Sequence, residues 1–576
     1  MKIFLTQLVA YIPTVTGANK VNRLLMEQLA KKNHICQVVT PAINDIQQLN
    51  SKTKTQSREK FFKELEAKKI KVTASYDAAE VYHHKGVEIH AVMDSNQLFT
   101  YLMNQINEFQ PTWTLVATEG SVQGLLKAAF KASPNRVVYV VHTTMMLPFG
   151  PESICPSPTI TEMLRQAAGI ITVSHYLKDY IWEWGGMKSE VVDLPVFGSG
   201  PFPDFGCFEQ GYVTMINPGI FKGISIFLEL AKKLPNIPFA AVPGWGTTDA
   251  DIAALKQLPN VNILSWVENT DEIYAQSRVL LVPSLGPEAR SLVVTEAMLR
   301  GIPVLGSNVG GIPEAKLGID YLLPVNKIQK YYEEPLDEEA PLIPIAPPDQ
   351  DIEPWEQALQ KLLSDRDHYE QLSKASRITA LEYLENCSIE RIEKYLETLS
   401  PSINRKFDST TETYGLLGLA ENLSVQHRAL LALRLMKKNK ITFIVNGQQM
   451  AAQQAQSEIE ESYVAPRTPI EMMLVFVCTD MLALERVSIY DNLLELFGNI
   501  ITANQFLSRI NKIFQLKMPR QVLFTVIVPN VAEIAEVIMR FQIEKADSIE
   551  LAANLEQLKD LSNEEIEVLA ANEFYR

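Results

Sequence analysis

Short apolar runs alternating with longer amphipathic stretches give the chain its rhythm up to about residue 400. Lys2–Val9 is apolar, Tyr11–Asn19 is a loop of Pro, Gly and Thr, Lys20–Lys32 keeps apolar residues at helical spacing, and Cys36–Val39 is apolar again. An apolar run next to a helical pattern predicts a strand buried on both faces, so this βαβ rhythm predicts a parallel sheet covered by helices. Asp45–Lys71 is polar and then helical, with charges that read as solvated. Val72–Val92 holds His83, His84 and His90 at no metal-ligand spacing. Thr114–Ala117, Val137–Val141 and Gly169–Ser174 continue the series, the last read as the final strand of this half. "SHYLKDYIWEWGG" follows as a helix closed by glycines. Trp182 and Trp184 lie two apart and cannot share a helical face, so one is expected in the core and one outside it.

Pro195–Phe205, rich in Pro and Gly, reads as a hinge. A second series of strands follows at Tyr212–Ile216, Phe239–Val242, Val261–Leu264, Val279–Val282 and Pro303–Leu305. Ile328–Glu353 is Pro- and acid-rich and reads as irregular, and Pro354–Leu399 as two or three helices. The fold class is α/β, with two doubly wound Rossmann-like domains. In such sheets ligands bind beyond the carboxyl ends of strands. Thr118–Ser121 and His142–Thr144 follow two strands of the first half and so face the expected cleft.

Chemistry is most legible at residues 283–298, "PSLGPEARSLVVTEAM". An apolar strand precedes this stretch and Leu292–Leu299 keeps helical spacing, so a helix N-terminus points past the end of a strand. Glu288 and Glu296 lie eight residues apart. On one continuous helix they would be about 80° out of register, which puts Glu288 in the loop and Glu296 inside the helix. A carboxylate that accepts from sugar hydroxyls, beside a helix terminus that holds phosphate, suggests a nucleotide-sugar site.

With "VLLVPSLGPE" before it and "EAMLRGIPVLGSNVGGIPE" after it, the stretch resembles the glutamate–seven residues–glutamate motif of retaining glycosyltransferases of family 4, which have the GT-B fold. The resemblance covers roughly residues 1–400, and Ser291 stands where the family usually has glycine. It implies that Glu288 binds sugar hydroxyls, that Glu296 binds ribose hydroxyls, and that Arg290, Ser291, Leu292 and Val293 meet the donor at the helix start. His142 matches the family's active-site histidine. Gly17-Ala18 stands where the family has Gly-Gly near the donor phosphates. In the loop 217–223, Lys222 matches a lysine that clamps the diphosphate. The arginine that accompanies it is absent, and Asn217 lies near its place, so Asn217, Gly219 and the loop's N–H groups are expected to compensate. Trp245, in the turn 244–246, is expected beside the nucleotide, and the backbone of Gly310-Gly311 close to a ligand. "PWEQALQKLL" resembles the terminal helices that cross back to the first domain in GT-B enzymes. The resemblance also implies metal-independent catalysis, with Lys222 and the helix start meeting the leaving diphosphate, Glu288 and His142 the sugar.

Composition narrows the class. The chain has 576 residues, 47% hydrophobic and 21% charged, which describes three or four globular units. No apolar run is long enough to span a membrane. Net charge of −15 argues against nucleic acid and against electrostatic adhesion to anionic membranes. Cys36, Cys155, Cys207, Cys387 and Cys478 are scattered, so reduced thiols and a cytoplasmic location are expected.

Beyond Asn422, "LSVQHRALLALRLMKKN" is an amphipathic helix resembling linkers beside condensation domains of nonribosomal peptide synthetases. "YVAPRTP", "DNLLEL" and Gln505–Ile510 resemble peptidyl carrier domains, which are small helical bundles. A working carrier has Gly-Gly-His-Ser where this chain has Phe497-Gly498-Asn499-Ile500. Ile500 offers no nucleophilic oxygen, so no phosphopantetheine is expected, and Ser508 matches a different position. Phe497, Ile500 and Ile501 are expected to form an apolar docking patch, and "LEQLKDLSNEEIEVLAANEF" a short acidic tail.

The expected units are an acceptor domain at 1–197, a nucleotide-sugar domain at 198–355, crossing helices at 356–400, a linker at 401–461, and a carrier-like domain with tail at 462–576. The expected function is transfer of a sugar from a UDP- or GDP-linked donor to a natural-product acceptor, a peptide or lipopeptide, with nonribosomal peptide synthetase domains as partners. A non-catalytic scaffold docking synthetase machinery and a sugar-nucleotide isomerase or hydrolase are the alternatives.

Overall fold

The computed structural model describes residues 1–43, 54–93, 97–118, 123–153, 156–193, 196–328, 347–401, 423–438, 463–497, 500–516, 530–544 and 548–558, except 15, 77, 199, 268, 483 and 492, together with 332–333, 343–344, 561–562, 565–566 and 569. The first domain is built on β1 (Lys2–Thr6), β2 (Ile35–Pro41), β3 (Val72–Ser75), β4 (Ala79–His84), β5 (Val87–Val92), β6 (Trp113–Ala117), β7 (Val137–Val141), β8 (Gly169–Thr172) and β9 (Glu190–Val191). They form one sheet in the order β3-β4-β5-β2-β1-β6-β7-β8-β9. All neighbours are parallel except β3–β4 and β4–β5.

Alternation along β1 shows how both faces are buried. Ile3 and Leu5 enter a core with Leu25 and Leu29 of α1 (Gly17–Lys31), while Phe4 enters another with Leu102 of α3 (Leu98–Phe109) and Leu126 of α4 (Gly124–Ala132). Helix α1 starts three residues earlier than its apolar pattern, because the Thr16 hydroxyl caps it by accepting from Asn19 N. Helix α2 (Lys54–Ala67) sends Phe61 and Leu65 into the same core.

Gly169–Thr172 is not the final strand of this half, since β9 pairs with β8 beyond it. Nor do Trp182 and Trp184 divide between inside and outside: they are 60% and 48% exposed. After α5 (Pro158–Arg165) and α6 (His175–Tyr180) the chain widens into a π turn at Ile181–Gly185. Ile181 and Gly185 take the inward positions, leaving the residues between them outside.

The second sheet has β10 (Tyr212–Ile216), β11 (Phe239–Val242), β12 (Val261–Ile263), β13 (Ser277–Val282), β14 (Val304–Ser307) and β15 (Leu322–Leu323), in the order β12-β11-β10-β13-β14-β15. Every pair is parallel. Its helices are α7 (Ile224–Lys233), α8 (Asp249–Lys256), α9 (Asp271–Tyr274), α10 (Leu292–Leu299) and α11 (Ile312–Ala315). Within the stretch expected to be irregular, β16 (Tyr332–Glu333) and β17 (Ile343–Pro344) pair antiparallel.

Three helices close this part: α12 (Glu353–Ser364), α13 (Arg366–Asn386) and α14 (Ile389–Thr398). Trp355, Leu359 and Leu362 of α12 lie in the second domain's core, so the "PWEQALQKLL" helix does not itself reach the first domain. Ile389, Ile392 and Leu396 of α14 do, and Trp113 Nε1 donates to Leu396 O at 2.9 Å.

Toward the C-terminus lie helices Val425–Lys438, Pro469–Leu482, Leu493–Phe497, Ile500–Phe514, Val531–Glu544 and Ser548–Leu558. They share one core containing Leu430, Leu474, Phe506, Ile538 and Leu551. The 425–438 helix, assigned to a linker by sequence, is thus part of the helical region. Leu558 and Ile566, within the expected short acidic tail, are buried in its core. Phe497 is 4% exposed with its ring 5.0 Å from that of Phe506, so it packs inward and forms no docking patch. Gly498, Asn499 and the side chains of Ile500 and Ile501 lie outside the described residues.

Candidate functional site

The carboxyl ends of β7, β10 and β13 open on a cavity of about 1100 Å³ lined from both domains. Its second-domain wall is held by close backbone packing. After β10 a single 3-10 turn, Ile220–Lys222, ends at Gly223, whose φ is 81° and where a Cβ would lie 1.9 Å from Pro283 O. Only glycine permits that approach, and it brings Lys222 beside the loop after β13. Lys222 Nζ and Glu288 Oε1 are 2.5 Å apart, and Ser284 Oγ donates to the same oxygen at 2.7 Å. Glu288 Oε2 has no protein partner among the described residues.

Gly310 and Gly311, expected close to a ligand, support this loop from behind. Gly311 N donates to Glu288 O at 2.6 Å, and a Cβ on Gly310 would lie 2.4 Å from the same oxygen. Neither lines the cavity, which Ser291, Leu292 and Val293 at the start of α10 do. The Ser291 hydroxyl makes no capping bond, so the first N–H groups of the helix have no side-chain cap there.

Glu296 departs from the ribose contact expected of it. It is 6% exposed, lies off the cavity wall, and accepts from Lys20 Nζ at 2.5 Å and Tyr274 hydroxyl at 2.8 Å. Asn217 lines the cavity with φ of 58°, and its Oδ1 accepts from Gly246 N at 2.9 Å. It therefore fixes the turn carrying Trp245 rather than replacing a cation. Gly219 is off the wall, packed so that a Cβ would meet Gly246 O at 2.4 Å. Trp245, 53% exposed, and Trp266, 54% exposed, both line the cavity.

On the opposite wall, Gly17 and His142 line the cavity with Met145 and Met146. His142 Nε2 lies 2.7 Å from Asn22 Oδ1, and Asn22 Nδ2 donates to Gln7 Oε1 at 3.0 Å. Oδ1 must then be the acceptor, so Nε2 carries the proton and Nδ1 the lone pair. Burial lowers the imidazole pKa to about 4, so the ring is neutral at physiological pH. Arg290, expected among the donor contacts, lines the cavity but gives Nη1 to Asp193 Oδ1 at 3.0 Å and Glu314 Oε1 at 3.3 Å.

Sequence reading missed Asn22, Ser284, Asp193, Trp266 and Tyr383. For Asn22 a signal existed: a polar residue on the buried stripe of α1, beside Val21 and Leu25, needs a polar partner. Among the described residues no group of three or more His, Cys, Asp or Glu could hold a metal ion, and no helix is long and apolar enough to cross a membrane.

Comparisons with known proteins fall on two parts. Curated relatives include a linear gramicidin synthase of Brevibacillus parabrevis, 35% identical over 102 residues, 17% of this chain, and gramicidin S synthase 2 of Aneurinibacillus migulanus, 39% over 62 residues, 11% of this chain. The chain spans about 1% of the length of each. Similar solved structures include sucrose-phosphate synthase from Thermosynechococcus elongatus, with TM-score 0.49 and 15% identity over 69% of this chain and 98% of that one. HepE from Anabaena in complex with UDP-glucose gives 0.47 and 16% over 69% and 100%. The family model described as Glycosyl transferases group 1 matches residues 211–334, the segment that supplies Lys222, Glu288 and α10.

Proposed function

We propose that the chain is a retaining glycosyltransferase that moves a sugar from a nucleotide diphosphate donor to a natural-product acceptor. One observation carries it: Lys222 and Glu288 meet at the foot of α10, inside an interdomain cavity, within the segment matched by the group 1 glycosyl transferases. Charge that grows on a departing diphosphate needs preorganised donors in a dry site. Lys222 and the N–H groups at Ser291–Val293 supply them.

In the unliganded pair each group neutralises the other. A bound donor gives Lys222 a phosphate partner and releases the Glu288 carboxylate to accept from sugar hydroxyls. Neutral His142, its tautomer set by Asn22, holds the sugar through Nδ1 and adds no charge near the reacting carbon. Trp245 and Trp266 flank the nucleotide. The donor is UDP- or GDP-linked, the acceptor a peptide or lipopeptide, and the helical region with Ile500 a docking module for synthetase domains.

The test is incubation of the purified chain with a panel of UDP- and GDP-sugars, following slow hydrolysis and then transfer. Retention is read from the anomeric configuration of the product by NMR. A scaffold without turnover is the second reading, favoured by the engagement of Glu296 with Lys20 and Tyr274. Hydrolysis of any panel member by the parent, lost in Glu288→Ala, removes it.

A further inference from the structure

Two residues past Glu288, the Arg290 guanidinium is 6% exposed where three parts of the chain converge. Asp193, just beyond β9 of the first domain, takes Nη1 at 3.0 Å; Glu314 of α11 takes it at 3.3 Å; and the Tyr383 ring of α13 lies 4.6 Å from the guanidinium carbon. The cluster continues outward. Tyr383 hydroxyl donates to Asp193 Oδ1 at 2.8 Å and Arg391 of α14 reaches Asp193 Oδ2 at 3.2 Å. Glu314 accepts from His175 N at 2.8 Å at the start of α6, with His175 Nδ1 3.0 Å from its other oxygen. At this cluster the second domain holds the first by two bridges, and both meet on one guanidinium; the pair of Lys20 and Glu296 is a separate contact between the domains.

We propose that Arg290 is a positioning residue that latches the two domains closed and fixes the loop of Glu288 in the same act. The role follows from what its removal would leave. Asp193 would keep only the more exposed Arg391, and Glu314 only His175. With their shared cation gone the two carboxylates would face each other partly buried, and like charges in a desolvated site are relieved by separation. Separation here means opening the cavity, because the two carboxylates belong to different domains. Backbone packing makes the coupling short: a Cβ on Gly311 would lie 2.1 Å from Ala289 O, so α11 and the 288–290 loop move together. Arg290 Nε and Nη2 are buried and have no hydrogen-bond partner among the described residues, which leaves the guanidinium held through Nη1 and its ring stack. Lysine lacks the planar face for that stack, so Arg290→Lys restores the charge but only part of the latch. The latch's effect on catalysis rests on the function proposed above; closure itself does not.

The test uses the full chain without substrate, as parent, Arg290→Met, Arg290→Lys and Asp193→Asn. Small-angle scattering reads the separation of the domains, and hydrogen exchange reads the His175 and Tyr176 amides, which lie against Glu314. Arg290→Met is expected to enlarge the radius of gyration and speed exchange at these amides by about tenfold or more, the size of a modest population shift. Asp193→Asn should do so less, and Arg290→Lys should fall between parent and Arg290→Met. Should Arg290→Met fail to fold, Asp193→Asn carries the same comparison. On donors, Arg290→Met is expected to raise KM more than it lowers kcat. Unchanged scattering and exchange in both Arg290→Met and Asp193→Asn overturns the latch, even if turnover is lost. A parent inert toward every sugar nucleotide, whose cleft still opens in Arg290→Met, leaves the latch standing and removes the proposed activity.

Discussion

Facing each other across the cavity, one wall carries Lys222 and Ser284, both bonded to Glu288 Oε1, whereas the other presents buried, neutral His142 beside Met145 and Met146. The charged wall is pinned by backbone contacts only glycine permits, at Gly223 against Pro283 and Gly310 against Glu288. The neutral wall is held through side chains, the line of His142, Asn22 and Gln7. On the proposed function this assigns stabilisation of charge to the second domain and orientation of the sugar to the first. Substitutions on the two walls should therefore differ in size and in pH behaviour.

The largest effect is expected on the charged wall. Glu288→Ala should lower turnover by about a thousandfold, within the range for loss of preorganised electrostatic contacts, with an unchanged circular dichroism spectrum. Lys222→Ala should lower kcat/KM by about a hundredfold, since it removes one charged contact to the diphosphate while the helix N-terminus remains. If the two substitutions cost no more than those at His142, the division between the walls fails.

On the neutral wall, His142→Gln should cost about tenfold in kcat, as a misplaced orienting group does. It should also change the pH dependence of stability. Burial lowers the His142 pKa to about 4, so between the ordinary imidazole range and that value the unfolded chain binds a proton that the folded chain does not. Stability therefore falls as pH drops through that window, by at most about 1.4 kcal/mol per pH unit from this residue. Urea titrations at pH 7 and pH 5 should show a smaller loss in His142→Gln than in the parent.

The smallest effect on activity separates the two motif glutamates. Glu296 is tied to Lys20 and Tyr274 off the cavity wall. Glu296→Gln should leave donor KM within about threefold while lowering unfolding free energy by about 2 kcal/mol, the scale of a broken partly buried ion pair. A tenfold or larger rise in KM with unchanged stability would return Glu296 to the ribose.

How much of this was legible depended on the range of the contacts. Strand Val137–Val141 and helix Leu292–Leu299 lie where the sequence pattern puts them, because a run buried on every side and a helix after a tight loop are local signals. The resemblance implied that Lys222 and Glu288 each meet the donor, but not that they meet each other; their contact follows from two strand ends that adjoin, β10 and β13. The engagement of Glu296 was not legible, since Lys20 lies 276 positions away in another domain. Arg290 read as a donor contact from its place in the motif. Asp193 and Tyr383, on different elements and far along the chain, turn it into a bridge. Trp182 and Trp184 both lie outside, against the division a regular helix would impose, because the backbone widens into a π turn there. The helix Val425–Lys438 looked like a linker because an apolar stripe records that a face is buried, not against what.

Crystallographic observation of a UDP- or GDP-sugar bound to the chain tests the central claim most directly. The account predicts the diphosphate between Lys222 Nζ and the backbone N–H groups of residues 291–293, with a sugar hydroxyl donating to Glu288. A nucleotide sugar bound elsewhere, or a cavity that stays empty at saturating donor, would contradict it.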